Sequence, residues 1–169
     1  MAMIEVTMPD GTVNEYAAGI TCSEVITDAF GKKHGCLAAR VDGVERDLTT
    51  VLNKPCSLDG IKAASAEGMY ILRHSAAHLL AQAVISLYPT ALPTIGPPVD
   101  RGFYYDFAME PITQGDLKTI EKKMHELARK NLALERIELD QTSLREHFES
   151  NPYKLSLIHI SEPTRLRRI

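Results

Sequence analysis

The sequence predicts an α+β chain, and three observations carry that prediction. Two hairpin turns and a capped helix crowd into the first sixty residues, a long helix then runs up to a proline, and a second capped amphipathic helix follows an aromatic strand. Length and composition permit this. At 169 residues, 44% hydrophobic and 24% charged, the chain can build one ordinary core or two small ones. No apolar run reaches the roughly 18 residues of a membrane helix, and residues 1–10 lack the basic start and apolar stretch of a secretory signal. A cytoplasmic chain with no membrane partner is expected. Cys22, Cys36 and Cys56 are an odd number with no CxxC pair, so they are expected as reduced core thiols rather than as a disulfide framework or zinc ribbon. The net charge of -3 requires any nucleic-acid contact to come from a local basic surface.

The elements follow in order. Ile4, Val6 and Met8 alternate with polar residues, Asp10-Gly11 supplies a turn, and Val13–Ala17 returns as the second strand. Thr21 and Glu24 have the spacing of a capping box, opening a helix that Gly31 closes after Phe30. Leu37–Val41 and Val44–Leu48 flank a second turn at Asp42-Gly43, and a last strand is expected over Ser57–Lys62. This order suits a helix packed across a small mixed sheet, as in the ubiquitin-like β-grasp, over residues 1–62. Ala63–Gly68 reads as a linker. Met69–Tyr88 is a helix ended by Pro89, with Leu72, Ala76, Leu79, Leu80, Ala83 and Leu87 as its apolar stripe and His74, His78, Ala81, Gln82 and Ile85 on the other face. Pro93–Pro98 is turn-rich and Gly102–Phe107 is strand-like. Thr113–Asp116 caps a helix over Leu117–Leu132, with Leu117, Ile120, Met124 and Leu127 inward and Lys118, Glu121, Lys122, His125 and Arg129 outward. A strand over Arg136–Leu139 and a short helix over Ser143–Glu149 complete the reading.

Residues 155–169 stand apart. The run LSLIHISEPTR from Leu155 to Arg165 resembles the in-frame translation of a transposase sequencing adapter, the other reading being a strand SLIHI with a basic tail. Without this segment 16 basic and 21 acidic residues remain, a net charge of -5, so the basic tail is no guide to RNA binding. The natural reading frame is expected to continue past Lys154.

His74 and His78 are the best candidate site, because positions i and i+4 project from one side of a helix. Imidazoles in a semi-apolar cleft exchange protons near neutral pH, whereas on an open surface the same pair would be ordinary polar residues. The HSAAH run has Ser75 where a zinc protease HExxH motif needs glutamate, and two histidines leave a zinc site short of ligands. Tyr104, Tyr105 and Asp106 could line a pocket, although an aromatic strand is also ordinary core. No glycine-rich phosphate loop is present, and the lysines of the Leu117 helix are balanced by Glu121 and Glu126.

Five segments together carry a family resemblance: DGTVNEYAAGITCSEVI, ARVDGVERDL, RHSAAHLLAQAV, IGPPVDRGFYYDF and LKTIEKKMHELARKN. Over residues 3–154 the chain resembles the amino-terminal part of bacterial threonyl-tRNA synthetases. The resemblance implies a TGS domain of β-grasp fold over 1–62, then a truncated first half of the editing domain over 69–154, which in the family hydrolyses serine from threonine tRNA. His74 and His78 match the editing histidines, and Tyr105 falls where a pocket tyrosine is expected; the later cysteine-histidine element of that pocket does not occur. The family's full-length enzyme uses ATP, magnesium and a zinc, binds the acceptor end of threonine tRNA, and is expected as a homodimer. None of those cofactors is expected in this segment, which should not charge tRNA alone. Two other readings stand beside this one: a free-standing TGS binding or regulatory module, and a trans-editing hydrolase.

Overall fold

Alternation in the first strand, β1 (Met3–Thr7), buries Ile4 and Val6 while Met3, Glu5 and Thr7 stay exposed, so one face is dry. The computed structural model describes residues 2–130, 132, 137 and 139–160, the last four by backbone alone. After β1 the Met8 amide donates to Thr12 O and the Gly11 amide to Met8 O, and β2 (Val13–Ala17) returns antiparallel. A short β3 (Ile20–Thr21) leads into α1 (Cys22–Phe30), where the capping box forms as predicted. The Thr21 amide donates to the Glu24 carboxylate at 2.8 Å, and Thr21 Oγ1 accepts from the Glu24 amide at 3.3 Å. Next come β4 (Cys36–Val41) and β5 (Val44–Arg46), joined through Asp42 and Gly43 with φ of 49° and 77°. Those left-handed angles suit this pair of residue types, so the dipeptide sets the turn. β5 is shorter than predicted because the chain beyond it serves α1 instead: Leu48 O and Thr50 O accept from the Ser23 and Cys22 amides at the helix start. β6 (Val51–Leu52) and β7 (Cys56–Lys62) complete the unit.

The sheet order is β2-β1-β7-β4-β5, with β1 and β7 parallel and the other neighbours antiparallel. α1 lies across the buried face and puts Cys22, Val25 and Ile26 into one core with Val6, Ala39 and Leu58. This is the expected β-grasp. One pairing escaped the sequence: β3 and β6 join Ile20 to Leu52 and Thr21 to Val51, and two-residue strands are too short to leave a periodic pattern. All three cysteines are free and buried, and burial raises each thiol above its ordinary pKa.

The molecule divides into two compact units, Met1–Leu72 and Arg73–Ile169. The division falls within α2 (Ala66–Leu87), not in the predicted linker. Ala63–Gly68 is a linker only as far as Ser65, because Ser65 Oγ accepts from the Gly68 amide at 3.0 Å and starts the helix there. The predicted apolar stripe of α2 is met over Leu79, Leu80, Ala83 and Leu87, which all join the core of the second unit, but its edges differ. Ala77, Ala81, Ala83 and Val84 are buried, whereas Leu72 is 46% exposed, so the dry arc takes in Ala81 from the face that carries the histidines. A helix apolar on much of its circumference has a poorly defined stripe, and packing rather than periodicity selects the buried side.

In the second unit, β8 (Leu92–Pro93) pairs with β11 (Phe107–Ala108), and β9 (Pro98–Val99) pairs with β10 (Gly102–Phe103). The single strand predicted over Gly102–Phe107 is therefore two, broken over residues 104–106. α3 (Gln114–Arg129) starts earlier than predicted, with Thr113 as N-cap and Asp116 as its reciprocal partner. Asp116 also accepts from the Tyr88 hydroxyl at 2.9 Å, which ties the start of α3 to the end of α2. The core joins Ala83, Val84 and Ala91 with Ile120 and Leu127, edged by Phe107 and Met124. Leu117, expected inward, is 54% exposed; Ile120, Met124 and Leu127 alone form the inward row. α4 (Gln141–His147) and α5 (Pro152–Ile160) close the described chain. Of the strand expected over Arg136–Leu139, Arg136 and Glu138 lie outside the described residues and Ile137 and Leu139 are not in a strand. In the adapter-like segment, Leu155–Ile160 belongs to a helix rather than a strand, and residues 161–169 lie outside the description.

A polypeptide of residues 1–62 contains every member of the first core and is predicted to melt cooperatively. In it Ile26→Ala should cost about 2–5 kcal/mol in chemical denaturation. A broad, non-cooperative melt, or a cost below about 1 kcal/mol, would contradict this packing.

Candidate active site

α2 supplies the first two side chains. One helical turn apart, His74 and His78 turn toward each other until their Nε2 atoms lie 2.8 Å apart, with ring centroids 4.7 Å apart and planes tilted by 50°. The residues that share this side, Ala77 and Ala81, are small and buried, so the imidazoles rise from a dry, close-packed base. Both rings are half-buried. Beside them the Arg73 guanidinium donates to Val99 O at 3.2 Å, fixing β9 next to this turn of the helix.

The third and fourth side chains come from distant segments. Tyr105 lies in the break between β10 and β11, where the Thr94 amide donates to Asp106 O and the Asp106 amide donates to Ile95 O, so the backbone just after it is held. Its ring stacks on Phe107 with centroids 4.9 Å apart. Its hydroxyl accepts from Lys154 Nζ at 3.3 Å. Tyr104 is 48% exposed, and Asp106 is exposed and engaged through its backbone. Lys154 is placed by Asn151, which is only 8% exposed. Asn151 Nδ2 donates to Pro93 O at 3.0 Å and its Oδ1 accepts from the Lys154 amide at 3.2 Å, capping α5 while anchoring it to β8.

Electrostatics join the two halves. His78 is held below the ordinary histidine pKa, first by burial, then by the His74 imidazole, then by the Lys154 ammonium. Lys154 thus meets the Tyr105 hydroxyl directly and acts on His78 through its charge. A mostly neutral imidazole can accept a proton at physiological pH; an ammonium and a phenol beside it can donate to a developing negative oxygen. Among the described residues no group of three His, Cys, Asp or Glu side chains could hold a metal, so the pair offers two ligands at most. No described helix is long and apolar enough to cross a membrane.

No protein-family model matches the chain. Curated proteins do. The threonine--tRNA ligase of Legionella pneumophila (strain Corby) is 42% identical over 160 residues, covering 92% of this chain and 25% of that protein. The threonine--tRNA ligase of Thermoplasma acidophilum is 42% identical over 151 residues, covering 89% and 22%, and that of Acidithiobacillus ferrooxidans is 40% identical over 175 residues, covering 98% and 27%. The chain belongs to the threonine--tRNA ligase family. It spans about a quarter of the length of the curated relatives it matches.

Sequence reasoning found the two histidines and the tyrosine but missed Lys154 and Asn151. One local signal was available: Asn151-Pro152 is a favourable N-cap and first helical residue, which would have put Lys154 in the first turn of a helix. Nothing local links that turn to α2. The depressed pKa of His78 gives a test with a definite sign. The unfolded chain takes up this proton near pH 6.5 and the folded chain only at lower pH, so stability is complete above about pH 6.5 and declines as pH falls through the folded value. NMR titration should place the His78 midpoint below 6.5, and Lys154→Met should raise it. A midpoint at or above 6.5 in the unsubstituted chain would show that burial and Lys154 do not act on this ring.

Proposed function

We propose that the chain comprises the TGS domain and the first part of the editing domain of a threonine--tRNA ligase, and that His74, His78, Tyr105 and Lys154 form part of a site that hydrolyses seryl-tRNA. The observation that carries this reading is the Nε2 pair at 2.8 Å, backed by an ammonium that also holds the Tyr105 hydroxyl. The similarity to threonine--tRNA ligases over some nine-tenths of the chain supports the choice of substrate. A pocket that accepts threonine gains only about 1–3 kcal/mol of discrimination from its extra methyl, so fidelity against serine calls for a second, hydrolytic site.

The chemistry asked of these residues is ester hydrolysis. Neutral His78 takes a proton as water oxygen bonds to the seryl carbonyl carbon, and His74, hydrogen-bonded to it, orients the ring and shares the charge. Lys154 and the Tyr105 hydroxyl donate to the carbonyl oxygen while it is negative. The ester C–O bond then breaks, and the ribose oxygen of the tRNA recovers the proton from the imidazole. The longer enzyme would carry out ATP-dependent threonine transfer elsewhere; no described cluster of three ligands and no phosphate loop in this sequence fits ATP, magnesium or zinc.

In a full-length threonine--tRNA ligase carrying these residues, His74→Ala and His78→Ala should each slow seryl-tRNA deacylation by about 10²- to 10⁴-fold while threonine charging persists. Deacylation should survive a chelator that spares charging. Undiminished deacylation in the double alanine variant would refute the assignment, and loss of deacylation on chelation would reassign the pair as metal ligands.

A further inference from the structure

We propose that Gly96 is a positioning residue, the seat against which the Tyr105 ring is pressed so that its hydroxyl meets Lys154. A Cβ built on Gly96 would overlap the ring at Cδ2, Cε2 and Cγ. The overlap includes Cγ, at the root of the ring, so a small swing of the hydroxyl end does not relieve it. Neither side has room to yield. Thr94 and Ile95, just before Gly96, are hydrogen-bonded to Asp106, and Tyr105 is itself flanked by Asp106 and stacked on Phe107. Any added side chain at 96 therefore has to expel the ring, and with it the 3.3 Å contact from Lys154 to the Tyr105 hydroxyl. Glycine is required here by a close approach rather than by an unusual backbone angle, because Gly96 is not among the residues with positive φ. Alanine is consequently tolerated by the backbone, and the penalty should vanish when the ring is removed.

The functional part of this inference rests on the hydrolytic reading of the site; the structural part does not, and the experiment separates them. Gly96→Ala, Tyr105→Ala and the double variant are made in the full chain, with tyrosine rings ¹³C-labelled for NMR, and in a full-length threonine--tRNA ligase for kinetics. Gly96→Ala should move the Tyr105 ring resonances, which lie in the shielding field of Phe107, and should lower kcat for seryl-tRNA deacylation by about 10- to 100-fold with KM little changed. In the Tyr105→Ala background the same substitution should change neither melting temperature nor kcat. If Gly96→Ala alone fails to fold, the double variant must still fold like Tyr105→Ala. Unmoved Tyr105 resonances in Gly96→Ala, or an equal cost of the substitution with and without Tyr105, would overturn the proposal. Moved resonances in a protein whose deacylation is also indifferent to His74→Ala and His78→Ala would sustain the seat and remove the hydrolytic reading.

Discussion

Two imidazole nitrogens 2.8 Å apart share a single proton between them, since one Nε2 must present its lone pair to the other's N–H. Protonating both rings would set two donors against each other. The surroundings enforce this limit. Ala77 and Ala81 let the helix face pack closely at the base of the pair, burial penalises the charged ring, and the Lys154 ammonium adds a like charge nearby. The rest of the second unit can be understood as the means of keeping that geometry: β9 tied by Arg73, the chain after Tyr105 held by the bonds of Asp106 to Thr94 and Ile95, and α5 fastened through Asn151 to Pro93.

How much of this was legible in the sequence depended on the range of the interaction. Thr21 with Glu24, Thr113 with Asp116, and Asp42-Gly43 all act within four residues, and each made the cap or turn it signalled. The β-grasp followed because its hairpins and helix are local and its one parallel contact, β1 with β7, closes a unit already folded back on itself. Failures came where a tertiary partner decided. The stripe on α2 held over Leu79, Leu80, Ala83 and Leu87, but Leu72 is exposed and Ala77, Ala81 and Val84 are buried beside it, and Leu117 at the start of α3 is exposed as well. Ala63–Gly68 looked like a linker by composition, yet Ser65 could cap the residues after it.

The site divides along the same line. His74 and His78 were legible as a pair because a helix fixes i and i+4 on one side, and Tyr105 was reached through family resemblance. Lys154 and Asn151 were not found, since their roles depend on α5 meeting β8 and the break after β10, contacts with no local signature. Gly96 likewise looked like part of a proline-rich turn; only the position of the Tyr105 ring shows why a side chain is absent there.

The central claim is that a neutral His78 receives the proton in hydrolysis of seryl-tRNA. Its most direct test is the pH dependence of kcat/KM for deacylation by a full-length threonine--tRNA ligase carrying this segment, since that profile reports the free enzyme's base. The account predicts that the rate rises with pH through an inflection below 6.5 and is level at neutral pH, with the inflection moving upward in Lys154→Met. A profile that is flat across the histidine range, or one that rises only above pH 7, would contradict it.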